Sequence, residues 1–391
     1  MKTYRNWGIA TRCVHQGEIE DPQGSPHTPL YNTTTFVFPD TQSLVDVMVG
    51  DKPGNIYTRY GTHPNVRTLE AKLAMLEGAE AALCFGSGVA AESATLLALG
   101  REGIVCVGDV YGGTYELLDT QLRSLGFEIH FLLKDELDQL ESLLKTGIGM
   151  VYFESPSNPV LDIQDIAMIS DLAHAYGALV CIDNTFATPI NQNPLALGAD
   201  VVVHSATKYL GGHSDITAGA VMSRNDLIGK IRPWRKNLGQ VPSPEVASLL
   251  CRSIRTLVIR VERQNSSALK IAQALENYPG IKRVLYPGLS GFPGHELASR
   301  QMKGFGGMMT IEFDGGLEDA SRVADRLELI RIGPSLGGAE SLCTQPVMTS
   351  HFDLTEDERA RRGITPSMMR LSVGFEEPED LIADIRQALE R

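Results

Sequence analysis

The chain has 391 residues, of which 43% are hydrophobic, so it holds about two to three average domains and enough apolar side chains for packed cores. Its 35 Lys and Arg residues against 48 Asp and Glu leave a net charge of −13, which argues against binding to nucleic acids or to anionic membranes. No apolar run reaches the roughly 20 residues of a membrane helix, and the first residues have no signal-peptide core, so we expect a cytoplasmic location.

Residues 1–60 predict an N-terminal arm rather than a helical layer. Residues 22–40 have the sequence PQGSPHTPLYNTTTFVFPD, which is dense in Pro, Asn and Thr, and a Gly/Pro break follows at residues 52–54. An extended segment of this kind is expected to pack against another surface. We expect a second subunit to provide it.

Residues 61–250 predict a large α/β domain. A helix should begin at Pro64 and end before Gly78, because apolar residues recur between them at helical spacing. Short apolar runs alternate with helical stretches along this region; they are AALCF, GIVCVGD, EIHFL, GMVYFES, ALVCID and ADVVVHS. Such unbroken runs are typical of strands buried on both faces, so we predict a mainly parallel sheet flanked by helices.

Residues 251–391 predict a smaller α+β domain. A long helical pattern begins with Ser243 as N-cap and Pro244 in its first turn, and it extends towards Tyr278. We place the domain boundary in this helix. Beyond it, the segments MMTIEFD and MMRLSVG alternate apolar and polar residues, which predicts a sheet with one face in solvent.

Cysteine and histidine spacing predicts neither disulfides nor a metal site. The six cysteines include no CxxC pair, and Cys84, Cys106 and Cys181 lie inside apolar runs, so buried reduced thiols are expected. His204 and His213 have no cysteine or carboxylate at the spacing of metal ligands.

A glycine-rich turn between a predicted strand and a predicted helix is the first candidate binding site. Gly86, Gly88 and Ala91 form the pattern GxGxxA, which fits a cradle of backbone amides for an anion at a helix N-terminus. The same pattern fits a dinucleotide site, because Asp109 ends the next strand, close to where a ribose-binding carboxylate belongs. A purely structural tight turn is the third interpretation. The motif alone leaves all three open.

Two charged residues follow other predicted strands. Asp183 ends the run ALVCID, and Lys208 follows ADVVVHS in a segment that also contains Ser205 and Thr207. The carboxyl ends of parallel strands meet at one edge of a sheet, so both charges should face one crevice. A poorly solvated lysine can act there as an amine nucleophile, and a carboxylate can pair with a protonated ring nitrogen. Taken singly, each residue also fits an ordinary salt bridge.

Together, these segments resemble the Cys/Met-metabolism family of pyridoxal-phosphate enzymes, the trans-sulfuration group. The resemblance extends from YTRYG to the C-terminal helix, through VYGGT, DNTFATP, SATKYLGGHSD and MMRLSVG. It implies the α/β fold of fold-type-I pyridoxal-phosphate transferases, with a mainly parallel seven-stranded sheet, an N-terminal arm and a smaller C-terminal domain. It also implies pyridoxal 5'-phosphate as cofactor, amino acids as substrates, and a homodimer as catalytic unit, usually paired into a homotetramer.

By this resemblance, two residues would carry the chemistry. Lys208 would form the Schiff base with the cofactor and move protons, and Tyr111 would stack on the cofactor ring and assist proton transfer. Asp183 would pair with the pyridine nitrogen. The residues that would bind the phosphate are Gly88, Val89, Ser205 and Thr207, with Tyr57 and Arg59 contributed by the neighbouring subunit.

The resemblance also implies a pocket for the substrate α-carboxylate. Arg370 would clamp the carboxylate, and Asn158 and Ser335 would complete the pocket. The alternation of Arg370 with Met369 and Leu371 points its side chain away from the core of the small domain.

The expected reaction is that of a cystathionine γ-synthase, in which cysteine replaces the γ-substituent of an O-acyl- or O-phosphohomoserine. The segments PSLGGAES and TQPVMTSHFDLTEDERARRGI resemble plant-type γ-synthases. Methionine γ-lyases usually carry Cys at the position of Gly113 and Val at that of Pro334, which disfavours their activity here. Two departures from the plant pattern are the absence of charge at Gly112 and Gly113 and one extra residue after YTRYG.

Other activities stay open at this point. Within the family they are cystathionine γ-lyase, β-lyase or another C–S lyase. More remote alternatives are an NAD-dependent dehydrogenase, which would leave Lys208 and Arg370 without a function, and a catalytically idle relative that binds pyridoxal phosphate.

Overall fold

The N-terminal segment is part helix and part extended chain. The structure, a computed structural model, describes residues 6–352 and 354–390. Helix α1 spans Ile9–His15 and helix α2 spans Thr41–Val49. The Pro-rich stretch between them is irregular, as predicted, and a β-bridge joins Thr35 to Tyr57. Helices α1 and α2 flank this stretch and were not predicted; Asp40 starts α2 by accepting a hydrogen bond from the Ser43 amide.

A seven-stranded sheet carries the middle of the chain. Its strands are β1 Ala81–Phe85, β2 Ile104–Val107, β3 Ile129–Leu132, β4 Met150–Glu154, β5 Leu179–Asp183, β6 Val201–His204 and β7 Gly219–Ser223. Their order across the sheet is β1-β7-β6-β5-β4-β2-β3. Strand β7 runs antiparallel to both β1 and β6, and the other pairs are parallel, so the predicted mainly parallel sheet is confirmed.

Helices cover both faces of this sheet. They are α3 Pro64–Glu77, α4 Gly88–Leu99, α5 Gly112–Glu116, α6 Leu140–Leu144, α7 Ile166–Ala175, α8 Thr188–Asn191 and α9 Asn225–Asn237. Alternate strand residues enter two separate apolar cores, as the neighbours Cys106 and Val107 do. Burial on both faces explains why the strands are unbroken apolar runs. The shorter helical segments are the π-helix Leu117–Leu122 and the 3-10 helices Thr58–Tyr60, Lys134–Gln139, Pro194–Leu197 and Pro346–Met348.

Two helices follow the large sheet where one long helix was predicted. Helix α10 spans Pro244–Ile254 and helix α11 spans Leu257–Leu275. Ser243 caps α10 as expected, since its Oγ accepts a hydrogen bond from an amide of the first turn. The helix is interrupted near Ser253, whose carbonyl oxygen accepts hydrogen bonds from the side chains of Arg260 (2.9 Å) and Thr256 (3.2 Å). Side-chain donors at this carbonyl therefore explain why the prediction of a continuous helix is wrong.

A five-stranded sheet forms the C-terminal part. The strands are β8 Ile281–Leu285, β9 Met308–Phe313, β10 Arg331–Ile332, β11 Leu342–Thr344 and β12 Met368–Ser372, in the order β10-β11-β12-β9-β8. The helices of this part are α12 His295–Gln301, α13 Leu317–Arg326, α14 Glu356–Arg361 and α15 Pro378–Glu390. None of the helices within the described ranges is long and apolar enough to cross a membrane.

The polar face of this second sheet is buried, so the predicted solvent-facing surface is wrong. Every residue of β9 and β12 is buried. Thr310 Oγ1 on β9 donates a hydrogen bond to the carbonyl oxygen of Pro159 (2.7 Å), and Arg370 is its register partner on β12. The polar face is therefore covered by the loop after β4 of the large sheet.

The cysteines are thiols, as expected. Cys251 is half-buried, and the other five cysteines are buried. None of the six forms a disulfide.

Candidate active site

The predicted site residues meet at the edge where the parallel strands end. A cavity of about 260 Å³ opens there, beyond β4, β5 and β6. The predicted residues that line it are Gly88, Val89, Tyr111, Asn158, Asp183, Ser205, Thr207, Lys208 and Arg370. Ser335 lies between two further lining residues, Pro334 and Leu336. Strands that end at one edge explain why residues so distant in sequence share one crevice.

The N-terminus of α4 forms one wall of the crevice. Ser87 caps this helix, since its Oγ accepts a hydrogen bond from the Ala90 amide over 3.2 Å. The amides of Gly88 and Val89 belong to the first turn, where N–H groups have no intrahelical acceptor. A Cβ atom on Gly88 would lie 2.8 Å from the Cβ of Ser205, so only glycine lets the two backbones approach this closely. The wall is thus a cradle of free amides with a serine beside it, which suits a phosphate.

The loop after β6 faces this cradle. The Ser205 amide donates a hydrogen bond to Thr185 Oγ1 (2.8 Å), which fixes the start of the loop. The Thr207 hydroxyl donates to the carbonyl oxygen of Ala218 (3.1 Å) and accepts from its amide (3.0 Å). Thr207 therefore ties the loop to the segment before β7 while it also lines the crevice.

Lys208 places its amine between the two sheets. Its Nζ donates a hydrogen bond to Ser335 Oγ over 3.0 Å. Burial, together with the positive charge of Arg370, lowers the pKa of Lys208 from its ordinary value. The neutral amine is the nucleophilic form, so this environment favours attack on a carbonyl carbon.

Asp183 ends β5 on the floor of the crevice. Its Oδ1 accepts a hydrogen bond from the Thr185 amide over 2.7 Å. Burial raises the pKa of Asp183, but this hydrogen bond and the nearby His204 favour the charged form. A largely buried carboxylate of this kind can hold one cationic group.

Arg370 is a buried cation with hydrogen-bonding capacity to spare. Its Nη1 donates to Asn158 Oδ1 (2.9 Å) and its Nη2 to the carbonyl oxygen of Ser335 (3.4 Å). Arg370 is 5% exposed, yet its Nε has no hydrogen-bond partner. Burial lowers its pKa to about 10, so it stays charged at neutral pH. An incomplete set of partners around a guanidinium is what a carboxylate ligand would complete.

Tyr111 stands at the rim of the crevice. Its side chain is 49% exposed, and its amide donates a hydrogen bond to Glu154 Oε1 over 2.6 Å. A Cβ on Gly113 would lie only 2.6 Å from Cε1 of the Tyr111 ring. The ring therefore lies directly on the backbone of α5, in a position that a larger residue at 113 would change.

Tyr57 and Arg59 do not join the crevice of their own chain. Tyr57 is exposed and its ring contacts Tyr60, with ring centroids 5.5 Å apart. Arg59 Nη1 donates a hydrogen bond to the carbonyl oxygen of Lys236 (3.0 Å) at the surface. Their expected contribution to the site of a neighbouring subunit stays a prediction.

Five polar residues of the crevice were not predicted as site residues, namely Ser87, Glu92, Glu154, Thr185 and Thr217. Glu92 on α4, Glu154 at the end of β4 and Thr185 after β5 line the cavity. Glu92 is the one charged residue of the otherwise apolar helix GVAAESATLLAL, and Glu154 ends an apolar run. A charged residue inside an apolar element is a signal that could have identified both carboxyl groups.

The carboxylate that a dinucleotide would need is engaged elsewhere. Asp109 contacts His351 Nε2 (3.1 Å) and accepts a hydrogen bond from Arg362 Nε (3.2 Å), and it does not line the crevice. The dinucleotide interpretation of the glycine motif is therefore wrong. Within the described ranges, no group of three His, Cys, Asp or Glu side chains is placed to hold a metal ion.

The crevice fits pyridoxal phosphate. This cofactor has a phosphate, a ring nitrogen and an aldehyde, which need an anion cradle, a carboxylate and an amine. The cradle at Gly88, the carboxylate of Asp183 and the amine of Lys208 line one cavity. The unpartnered Nε of Arg370 adds a place for the carboxylate of an amino acid.

Known proteins are similar to this chain in sequence and in fold. The family model "Cys/Met metabolism PLP-dependent enzyme" matches residues 10–390. L-methionine γ-lyase of Pseudomonas deceptionensis is 44% identical over 99% of this chain and 98% of its own length. Cystathionine γ-synthase 1, chloroplastic, of Arabidopsis thaliana is 43% identical over 93% of this chain and 65% of its own length. The crystal structure of cystathionine γ-synthase from Xanthomonas oryzae pv. oryzae with aminoacrylate and cysteine has a TM-score of 0.91 at 35% identity, over 98% of each chain.

These matches confirm the resemblance and the fold class predicted from the motifs. They extend over nearly the whole chain, so they include both sheets and the crevice between them. The chain therefore belongs to the Cys/Met metabolism family of PLP-dependent enzymes, and pyridoxal phosphate is its cofactor.

Proposed function

We propose that the chain is a cystathionine γ-synthase, which replaces the γ-substituent of an O-acyl- or O-phosphohomoserine by the sulfur of cysteine. The observation that carries the proposal is that Ser335 connects Lys208 to Arg370. Its hydroxyl accepts a hydrogen bond from Lys208 Nζ, and its carbonyl oxygen accepts one from Arg370, whose Nε has no partner. A proton-transferring amine thus lies next to the place where an α-carboxylate would bind.

The cofactor is held by groups of opposite character at its two ends. The free amides of Gly88 and Val89, with Ser205 and Thr207, would bind the phosphate. Asp183 would accept a hydrogen bond from the ring nitrogen and keep it protonated. When bound, pyridoxal phosphate supplies an electron sink for the electrons left behind when an amino acid loses its α-proton.

The α-carboxylate of the substrate would occupy the free side of Arg370. Its Nε is the unused donor, and Asn158 already fixes Nη1 from the other side. Because Arg370 is held in this way before the substrate arrives, little side-chain entropy is lost on binding. The position of the bound carboxylate thereby determines which bond to the α-carbon lies near Lys208.

Lys208 would then move protons as a general base and acid. Its lowered pKa makes the neutral amine more accessible than in a free lysine, and the hydrogen bond to Ser335 orients the amine. The amine would take the α-proton, release it to C4′ of the cofactor and, as a neutral base again, take a β-proton, whose loss expels the γ-substituent. Tyr111, at the rim, would assist proton transfer to that leaving group.

The position of Tyr111 supports γ-replacement over methionine γ-lyase activity. Its ring lies where a Cβ at Gly113 would clash, and methionine γ-lyases usually carry Cys at this position. The plant-type segment PSLGGAES, which contains Ser335, and the similarity to two cystathionine γ-synthases support the same choice. The similarity to a methionine γ-lyase supports C–S lyase activity as the second candidate, with cystathionine γ-lyase and β-lyase as its other forms.

The proposal includes a homodimer as catalytic unit, paired into a homotetramer. Helix α2 has no buried residue, and four of its apolar side chains are exposed, namely Leu44, Val45, Met48 and Val49. Such a face needs a covering surface. Arg59 follows α2 in the sequence and is also exposed. Its exposure supports the proposed contribution of Arg59 to the partner's site. Five buried thiols support a reducing, cytoplasmic location.

Product analysis separates the two candidates. The purified holoenzyme is incubated with an O-acylhomoserine, with and without cysteine, and the products are identified by mass spectrometry. A γ-synthase forms cystathionine when cysteine is present, at the expense of 2-oxobutyrate. Release of 2-oxobutyrate that cysteine does not change would reject the γ-synthase and favour the lyase.

A further inference from the structure

A second carboxyl group lies against Asp183 in the wall of the crevice. Glu92 is on α4, one turn after Gly88, and is 3% exposed. It lines the same cavity as Asp183, and burial together with the negative charge of Asp183 raises the pKa of Glu92. The hydroxyl of Thr114 on α5 donates a hydrogen bond to Glu92 Oε2 over 2.7 Å. None of the roles described above uses this buried carboxyl group.

The proton between the two carboxyl groups belongs to Glu92. Charging two adjacent carboxyl groups away from water is unfavourable, because their repulsion is strong there, so one of the two keeps its proton to a higher pH than a free carboxyl group does. Asp183 is the better anion, since it accepts from the Thr185 amide and has His204 nearby. Burial and the charge of Asp183 raise the pKa of Glu92 to about 8. At neutral pH, Glu92 is therefore protonated and can donate a hydrogen bond to Asp183.

Among the residues that the structure describes, no cation acts on Glu92. The titratable groups that face it are Tyr152 and Glu154 on β4, and Cys181 and Asp183 on β5. Each of these groups becomes negative when it ionises. In the described part of the chain, Glu92 forms no ion pair, so the hydroxyl of Thr114 is what favours its charged form.

We propose that Glu92 is a positioning residue that sets the strength of Asp183 as a partner of the cofactor ring nitrogen. This inference rests on the proposed role of Asp183. The protonated carboxyl group of Glu92 holds the Asp183 carboxylate in place and, as a donor, lowers its basicity. When Glu92 ionises, the donor is lost and a second negative charge appears beside Asp183. Asp183 then binds a protonated ring nitrogen more firmly, so the ring keeps its proton to higher pH.

The test follows the ring nitrogen itself. Holoenzyme is prepared with ¹⁵N-labelled pyridoxal phosphate, and the ¹⁵N chemical shift of the ring nitrogen is measured as the pH is raised through about 8. In the wild type we expect the shift of the protonated ring nitrogen to change in a step as Glu92 ionises, because the new charge acts on the contact between Asp183 and the nitrogen. The midpoint of this step lies at or below about 8, because a protonated ring beside Asp183 lowers the pKa of Glu92 relative to the cofactor-free chain.

Variants assign this step to Glu92. Glu92→Gln keeps a donor towards Asp183 but cannot ionise, so the step is lost. Thr114→Val removes the hydroxyl that favours charged Glu92, so the step moves to higher pH. Glu116→Gln removes an exposed carboxyl group from the same helix as Thr114, and it keeps the wild-type curve.

Two outcomes overturn different statements. Superimposable curves for the wild type and Glu92→Gln, or a Thr114→Val step that does not move, would reject the role of Glu92. Asp183→Asn checks the underlying assignment, because it should remove the protonated-nitrogen signal at every pH. An unchanged signal in Asp183→Asn would instead reject Asp183 as the ring partner, and with it this part of the proposed function.

Discussion

Arg370 illustrates how a single side chain can be prepared for a ligand. It is buried, charged and held on one side by Asn158, while its Nε has no partner. A buried cation without a carboxylate is unfavourable, because desolvation is not compensated by an opposite charge. A substrate α-carboxylate provides that charge, so its binding compensates part of the desolvation of Arg370.

Removal of this guanidinium should weaken substrate binding. Arg370→Ala is expected to raise the KM for the amino-acid substrate by roughly 10- to 100-fold, since a hydrogen bond to a charged group contributes about 1.5–3 kcal/mol. Steady-state kinetics measure the change, with circular dichroism as a check of folding. Arg331→Ala, an exposed arginine on β10 of the same sheet, is the matched control and should leave KM unchanged. Equal KM values in the two variants would remove Arg370 from the substrate pocket.

The amine of Lys208 should react at lower pH than a free lysine. Burial and the charge of Arg370 lower its pKa from the ordinary value of 10.5, and only the neutral amine attacks a carbonyl. The rate of cofactor attachment to the cofactor-free chain, followed by absorbance, should therefore level off below pH 10.5. Arg370→Met removes the positive charge, which raises the pKa of Lys208 and moves the profile to higher pH. A profile that stays in place would show that the charge of Arg370 does not act on this amine.

Among the elements, α4 depends on a close contact with the loop after β6. Its N-terminus approaches Ser205 so closely that a methyl group on Gly88 has no room. The approach brings the amides of the first turn and the hydroxyl of Ser205 to the same place. Displacement of the helix end should therefore damage phosphate binding before it damages the fold.

Gly88→Ala tests this contact. The added Cβ would lie 2.8 Å from that of Ser205, so the helix end must shift, and we expect cofactor affinity to fall about tenfold or more. Gly229→Ala on α9 is the control, because nothing lies within 4 Å of its Cβ. The control should keep its affinity and gain roughly 0.5–1 kcal/mol in free energy of unfolding. Fluorescence titration of the cofactor-free chains measures both affinities; equal values would contradict the cradle.

The elements of the large sheet could be predicted because local signals and tertiary burial agree. Helix α3 begins at Pro64 and ends before Gly78, whose φ of +72° suits glycine, and the apolar runs became strands. The failures have a tertiary cause. Arg260 reaches the carbonyl of Ser253 and helps to divide the long helix, and the polar face of β9 and β12 is buried against another part of the chain. No local pattern contains such contacts.

The crevice could be predicted only in part, and for a similar reason. Asp183 and Lys208 follow strands, so the parallel topology brings them together. Glu92 lies on a helix and comes close to Asp183 only because α4 packs against the large sheet at β7 and β6. The pairing of the two carboxyl groups depends on three-dimensional contact, and sequence spacing does not encode it.

At the scale of the whole molecule, two of the predicted phosphate ligands lie outside the crevice. Tyr57 and Arg59 lie at the surface and do not line the crevice of their own chain. A symmetric dimer would place the same surface of each chain on the other, so one contact would complete two sites.

Mixing two defective chains tests this arrangement. Arg59→Ala and Lys208→Ala chains should each have little activity, because one lacks a phosphate ligand and the other its amine. In a mixed dimer, the chain that keeps Lys208 receives Arg59 from its partner, so one complete site forms. Statistical mixing after unfolding and refolding should then restore roughly a quarter of the wild-type activity. Absence of recovery would indicate that Arg59 acts within its own chain.

Mapping of the covalent attachment point decides whether the crevice is the cofactor site. The purified holoenzyme is reduced with borohydride and digested, and the peptides are identified by mass spectrometry. We expect the mass of the reduced cofactor on the peptide that contains Lys208, and on no other lysine. The mass on a different lysine, or on none, would contradict the assignment of Lys208 and the reaction built on it.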